Sequence, residues 1–180
     1  MNKKYSTILA DPPWRYSNRT GKSAPEHKRL RRYATMSTLE LSSMRPMIDN
    51  LAHEDCHLWM WCTWPMIQNG LDLMDTWGFQ YKTGIPWLKV TKNGEPDGRC
   101  MGFYGRVVTE ILLFGVRSKT TYRTKPPHNV KNIIIAQKRA HSQKPEEQYA
   151  LIERQSHGPY IELFARNKRE GWDSWGNEAH

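Results

Sequence analysis

The chain has 180 residues, enough to bury the core of one domain and too few for two comfortable ones, so a single domain over 1–180 is expected. Hydrophobic residues make up 38%, and no run approaches the roughly 18 apolar residues that a membrane helix needs. The apolar run in MNKKYSTILADPP is too short for a signal peptide, and a cytoplasmic protein with no membrane partner is expected. A net charge of +9 favours a polyanionic partner such as nucleic acid, with mere solubility as the alternative that charge distribution must decide.

In chain order, Tyr5–Ala10 (YSTILA) reads as a buried strand, ended by Asp11-Pro12-Pro13 because proline cannot donate to a ladder. A polar, basic stretch from Arg15 to Arg32 follows with no apolar period, which reads as a long loop of the kind that is functional or disordered. From Ser37 the helical spacing of MSTLELSSMRPMIDNLA, a Ser or Thr cap and Glu40 predict a helix, kinked or divided at Pro46. Cys56–Cys62 reads as a strand. Pro65 opens a second helix that Gly78 stops. Phe79–Val90 is strand-like, with Pro86 marking a bulge or a sheet edge.

After the turn KNGEPDG, Val108–Val116 and Asn132–Gln137 read as further buried strands. Pro145 begins a helix whose Glu146 and Glu147 suit the positive end of its dipole, and Gly158 ends it. Tyr160–Ala165 is the last strand before a polar tail. Short continuous apolar strands alternating with helices predict an α/β fold with a mostly parallel sheet and helices on both faces. Cys56, Cys62 and Cys100 are odd in number and lack CxxC spacing, so they predict buried thiols, with neither a disulfide framework nor a metal site.

In open α/β sheets ligands lie beyond the carboxyl ends of strands, where this reading puts Asp11-Pro12-Pro13-Trp14. Two prolines restrict successive φ angles and remove two donors, which fixes their carbonyls beside a carboxylate. Trp14 adds a flat apolar face. An acceptor carboxylate, an outward carbonyl and a stacking ring suit an aromatic ring that carries an NH2 group, such as adenine. An ordinary turn with a packing tryptophan is the alternative.

The stretch Asp11–Trp14 resembles the catalytic motif of the DPPW-motif N6-adenine methyltransferase family, to which the catalytic subunit of the eukaryotic mRNA N6-adenosine methyltransferase and many bacterial and phage proteins belong. Further segments resemble the family in its own order: Tyr33-Ala-Thr-Met-Ser37, Leu58-Trp-Met-Trp-Cys-Thr63, Trp87-Leu-Lys89 and Thr109-Glu110-Ile-Leu-Leu-Phe-Gly115. His141-Ser-Gln-Lys144-Pro145-Glu, Ile161-Glu162-Leu-Phe164-Ala-Arg166, and Trp172 with Gly176-Asn177-Glu178 continue the likeness to residue 178. The resemblance implies a Rossmann-like S-adenosylmethionine-dependent methyltransferase in permuted order, with the catalytic strand first and the cofactor strand last. It assigns catalysis to Asp11, Pro12, Pro13 and Trp14, and cofactor binding to Asp11, Glu162, Phe164, Arg166, Asn177 and Glu178.

Under that reading Asp11 accepts from the adenine amine, a proline carbonyl takes the second N–H and Trp14 stacks on the base, with no metal. Between Arg15 and Arg32 seven basic residues face one acid, Glu26, a local net of +6, and Arg117 to Lys131 holds five more with no acid. Phosphate contacts would need such a distribution; a solvated surface is the alternative. The candidate nucleic-acid contacts are Arg15, Tyr16, Arg19, Lys22, Lys28, Arg29, Arg31 and Arg32, with Lys89, Arg106, Arg123 and Lys144. DNA is favoured, because compact members of the resembled family are mostly bacterial or phage. An RNA methyltransferase, a non-catalytic nucleic-acid-binding partner and a methyltransferase of small adenine compounds stay open, as does a homodimer or a partner subunit.

Overall fold

A computed structural model of the chain describes residues 3–16, 35–99, 104–118, 129–139 and 143–176. Its strands are β1 (Tyr5–Ala10), β2 (Ala52–Cys62), β3 (Gln80–Val90), β4 (Thr109–Arg117), β5 (Ile134–Gln137), β6 (Tyr160–Leu163) and β7 (Trp172–Trp175). The helices are α1 (Thr38–Ser42), α2 (Arg45–Leu51), α3 (Ile67–Thr76) and α4 (Glu147–Gln155).

One seven-stranded sheet runs in the order β5-β3-β4-β2-β1-β6-β7. Four neighbouring pairs are parallel, and β4 alone runs against both β2 and β3. Physically, parallel neighbours need a long crossover, usually a helix, whereas the chain turns within residues 92–99 after β3 and β4 then runs antiparallel to it. The chain leaves β1 through α1 and α2 to β2 on one side, while β6 and β7 extend the sheet on the other. β1 is therefore the switch point at which an open sheet forms its ligand crevice.

Alternation along the strands builds two cores. Ile8, Ala10, Leu58, Met60 and Leu113 pack with Leu41, Ile48 and Leu73 from the first three helices and with Trp77, which caps the end of α3. On the other face Leu9, Trp59, Trp61, Leu112 and Phe114 pack with Ile152 of α4. Trp59 and Trp61 have almost no exposed surface, and cutting either to alanine should cost ~3–5 kcal/mol.

The local signals mostly act as expected. Ser37 caps α1 through a reciprocal capping box with Glu40, and the helical stretch divides before Pro46, which lies in the first turn of α2 where no intrahelical N–H is needed. Pro65 sits in a 3-10 turn, Trp64–Met66, and α3 starts after it; Gly78, at φ 78°, follows the helix in the left-handed region. Pro86 pairs with β4, but the pairing of β3 with β5 begins only at Trp87, so the proline stands where that side of the strand has no β5 partner.

Several boundaries differ. β2 begins at Ala52, four residues ahead of the expected Cys56, and α4 begins at Glu147, two residues after Pro145. β7 lies inside the stretch read as a polar tail, because a four-residue edge strand, WDSW, is too short to show a period. α4 ends at Gln155, with Ser156 already extended, ahead of Gly158. β6 stops at Leu163 because Phe164 turns to φ 63°. Cys56 and Cys62 are buried thiols, raised by that burial to about 12; Cys100 and the stretch 17–34 lie outside the described residues.

Candidate active site

Asp11 leaves the end of β1, and its N–H points to Leu163 O of the neighbouring β6 at 3.5 Å. Pro12 O accepts from Trp14 N–H at 2.8 Å, and Pro13 O accepts from Met36 N–H at 2.8 Å. The prolines thus close a tight turn and fasten it to the segment before α1. Each carbonyl keeps a second lone pair for an incoming donor. Trp14 corrects the expectation that its face covers a base: it is 7% exposed, packs into the core beneath α1, and its indole N–H donates to Trp61 O at 3.1 Å. It anchors the turn to β2.

Beside the turn lies a chain of alternating charge. Lys144 Nζ donates to both Asp11 oxygens at 2.8 Å and lies 3.5 Å from Glu110 Oε2, while Lys89 Nζ donates to Glu110 Oε1 at 2.6 Å. These side chains come from the ends of β1, β3 and β4 and from the segment entering α4. Burial pushes the Asp11 carboxyl above its ordinary range, against the pull of Lys144. Burial opposes the Lys144 charge, but the two carboxylates outweigh it and hold the ammonium above its usual value. Burial likewise works against Glu110, and the two lysines hold its carboxyl below the ordinary range.

Lys89 and Lys144 therefore stand away from the surface position that phosphate contacts require: Lys89 is 5% exposed and paired with Glu110, and Lys144 is paired with Asp11. The sequence offers both as candidate nucleic-acid contacts, because nothing local reveals that Glu110, 21 and 34 residues away, comes to lie between them.

On the β6 side, Asp11, Lys144, Tyr149, Glu162, Phe164 and Arg166 line one cleft of about 130 Å³. Tyr149 O–H donates to Glu162 at 2.8 Å. Burial, with Asp11 nearby, raises the Glu162 carboxyl to about 7 although Tyr149 pulls it down. Phe164 holds a positive φ, a conformation that costs an ordinary residue about 1–3 kcal/mol and that clusters at functional sites. Its ring meets Trp175 edge-on at 5.6 Å. Gly176 lets β7 close on this loop, since a Cβ there would sit 2.7 Å from Ala165 O.

Of the remaining candidates, Arg15 is exposed and donates to Thr35 O and Glu40, Tyr16 is 43% exposed, and Arg106 is exposed. Arg19, Lys22, Lys28, Arg29, Arg31, Arg32, Arg123, Asn177 and Glu178 lie outside the described residues.

The donor set fits S-adenosylmethionine: carboxyls of Asp11 and Glu162 suit its cationic groups, Arg166 its carboxylate, and Phe164 an apolar face. A switch-point site of this composition on a permuted Rossmann-like sheet defines a methyltransferase class. The MT-A70 family model matches residues 5–178, and the chain belongs to that family, whose methyltransferases depend on S-adenosylmethionine. It is 33% identical over 195 residues to the Type II methyltransferase M.MunI of Mycoplasma sp, covering 98% of this chain and 78% of that protein. It is 30% identical to the human N(6)-adenine-specific methyltransferase METTL4 and 29% identical to the human N(6)-adenosine-methyltransferase catalytic subunit METTL3, over 98% and 97% of this chain. The chain spans 38% and 28% of those two human proteins.

Proposed function

We propose that the chain transfers a methyl group to the exocyclic amine of adenine in nucleic acid, with DNA the favoured polymer. One observation carries this reading: a buried carboxylate, Asp11, held by a lysine at the end of the central strand, shares a cleft with Glu162, Phe164 and Arg166. Bound S-adenosylmethionine supplies the electrophilic methyl group. Asp11, Glu162, Phe164 and Arg166 would hold it, with Asn177 and Glu178.

The adenine amine is a poor nucleophile because its lone pair is delocalised into the ring, and it gains positive charge as it reacts. Asp11 accepts a hydrogen bond from that amine and stabilises the developing charge, worth about 3 kcal/mol by analogy with a single preorganised donor in an oxyanion hole. Lys144 fixes the carboxylate by gripping both oxygens, so little reorganisation is needed when charge appears. A free lone pair on the Pro12 or Pro13 carbonyl can take the second N–H. The base reaches this cleft only if it is unpaired or flipped.

The likeness to the mycoplasmal Type II enzyme supports DNA, and the likeness to human METTL3 is the ground for a second reading, RNA. Purified protein incubated with labelled S-adenosylmethionine and single- or double-stranded DNA or RNA, followed by nucleoside mass spectrometry, separates them. N6-methyldeoxyadenosine is the expected product. N6-methyladenosine alone would replace DNA by RNA, and cofactor binding without either product would favour a non-catalytic partner.

A further inference from the structure

We propose that Trp64 and Tyr16 form a stacking platform for an unpaired nucleobase at the rim of the Asp11 cleft; this rests on the nucleic-acid reading above. Trp64 is 45% exposed and Tyr16 43%, whereas Trp59 and Trp61 of β2 have almost no exposed surface. Both rings are braced at their polar tips. Trp64 Nε1 donates to Thr109 Oγ1 at 2.8 Å, and the Tyr16 hydroxyl pairs with Thr63 Oγ1 at 2.8 Å.

A buried Tyr or Trp normally satisfies its polar tip while its faces pack. Here the tips are satisfied by protein and large parts of the rings are left to water, which costs side-chain entropy and gains no core contact. Such an arrangement presents rigid apolar faces. Stacking on a base needs that geometry and tolerates any base, because every base has a π-face.

Placement ties the platform to the catalytic turn. Tyr16 is two residues beyond Trp14, whose indole is bonded to Trp61 O, and Thr63 and Trp64 follow the end of β2 into the 3-10 turn. Thr109 directly precedes Glu110, the acid that joins Lys144 to Lys89. The two rings therefore flank the charge chain on the side away from β6 and the cofactor residues. A strand whose adenine enters the cleft must lay its neighbouring bases over this rim, and a net charge of +9 draws its phosphates to the protein. Trp64 belongs to none of the motifs that carry the family resemblance.

The test measures binding of a fluorescently labelled single strand of whichever polymer the wild type methylates, with cofactor affinity measured alongside. Trp64→Ala should weaken strand binding roughly 5- to 100-fold while cofactor affinity holds, and Trp64→Phe should restore most of it because the ring returns without the N–H. Abasic substitution next to the target adenine should weaken wild-type binding and have no further effect on Trp64→Ala. If Trp64→Ala does not fold, Trp64→Leu, of similar bulk without a ring, makes the same comparison with Trp64→Phe. Equal binding by the ring-bearing and ringless proteins, or equal sensitivity of both to the abasic site, overturns the platform even where the wild type methylates. Failure of the wild type to methylate either polymer instead overturns the functional reading.

Discussion

The two edges of the sheet handle charge in opposite ways. At the carboxyl edge of β1, Lys144 and Lys89 have side chains 13% and 6% exposed, threaded between Asp11 and Glu110. At the opposite edge the ion pairs Lys3–Asp173 and Arg45–Asp49 have side chains 43–58% exposed, in water. Exposed pairs are screened and contribute about 0–1 kcal/mol, whereas removing one partner from a buried pair costs ~3–5 kcal/mol because an uncompensated charge stays behind. A fold that buries four alternating charges at one edge is sacrificing stability there, at the edge where the proposed function places the reaction.

The comparison can be broken from its strong end. Lys144→Met should destabilise the protein by ~3–5 kcal/mol in urea titrations, since Asp11 and Glu110 would then face each other without their shared cation. A loss under 1 kcal/mol would mean that the edge is effectively solvated. Asp11→Asn keeps the shape and removes the charge; methyl transfer should fall about 10²–10³-fold by the oxyanion-hole analogy, with the fold retained by circular dichroism. Activity close to wild type would remove Asp11 from its role.

Phe164 tests the β6 side of the same edge. Phe164→Gly should be about 1–2 kcal/mol more stable than Phe164→Ala, because only glycine occupies a φ of 63° without strain, yet both should bind S-adenosylmethionine more weakly by calorimetry. Glu162 adds a pH dependence. Its carboxyl rises from 4.5 to about 7 on folding, so between those values the folded state binds more protons than the unfolded one. Its contribution to stability is complete below pH 4.5 and is lost as pH rises through about 7. Thermal unfolding of Glu162→Gln relative to wild type, followed from pH 4.5 to 8, should show that slope disappear. At the weak end, Asp49→Ala, which removes the exposed partner of Arg45 and Arg117, should change stability by no more than about 1 kcal/mol.

Local signals in the sequence carried far where one residue type has one physical use. Ser37 and Glu40 cap α1, Pro46 lies in the first turn of α2, Gly78 stops α3, and the apolar runs become strands β1 to β6. Asp11, Glu162, Phe164 and Arg166, singled out from their motifs in the sequence, line one cleft. The pairing of Lys89 and Lys144 with Glu110 and Asp11 was not legible, because burial of a lysine depends on which carboxylate the fold brings to it. Nor does anything local show that Tyr149 of α4 donates to Glu162 of β6.

The sequence by itself determined the element types, the rigid turn at Asp11–Trp14 and the family, since propensity, capping and motif order are properties of neighbouring residues. Only the tertiary structure decided that β4 runs backwards between β2 and β3, that the Trp14 indole is buried and anchors the turn to Trp61, and that two lysines pair with the carboxylates of Asp11 and Glu110. Those are contacts between residues far apart in the chain, fixed by how the sheet closes its ranks and not by any local preference.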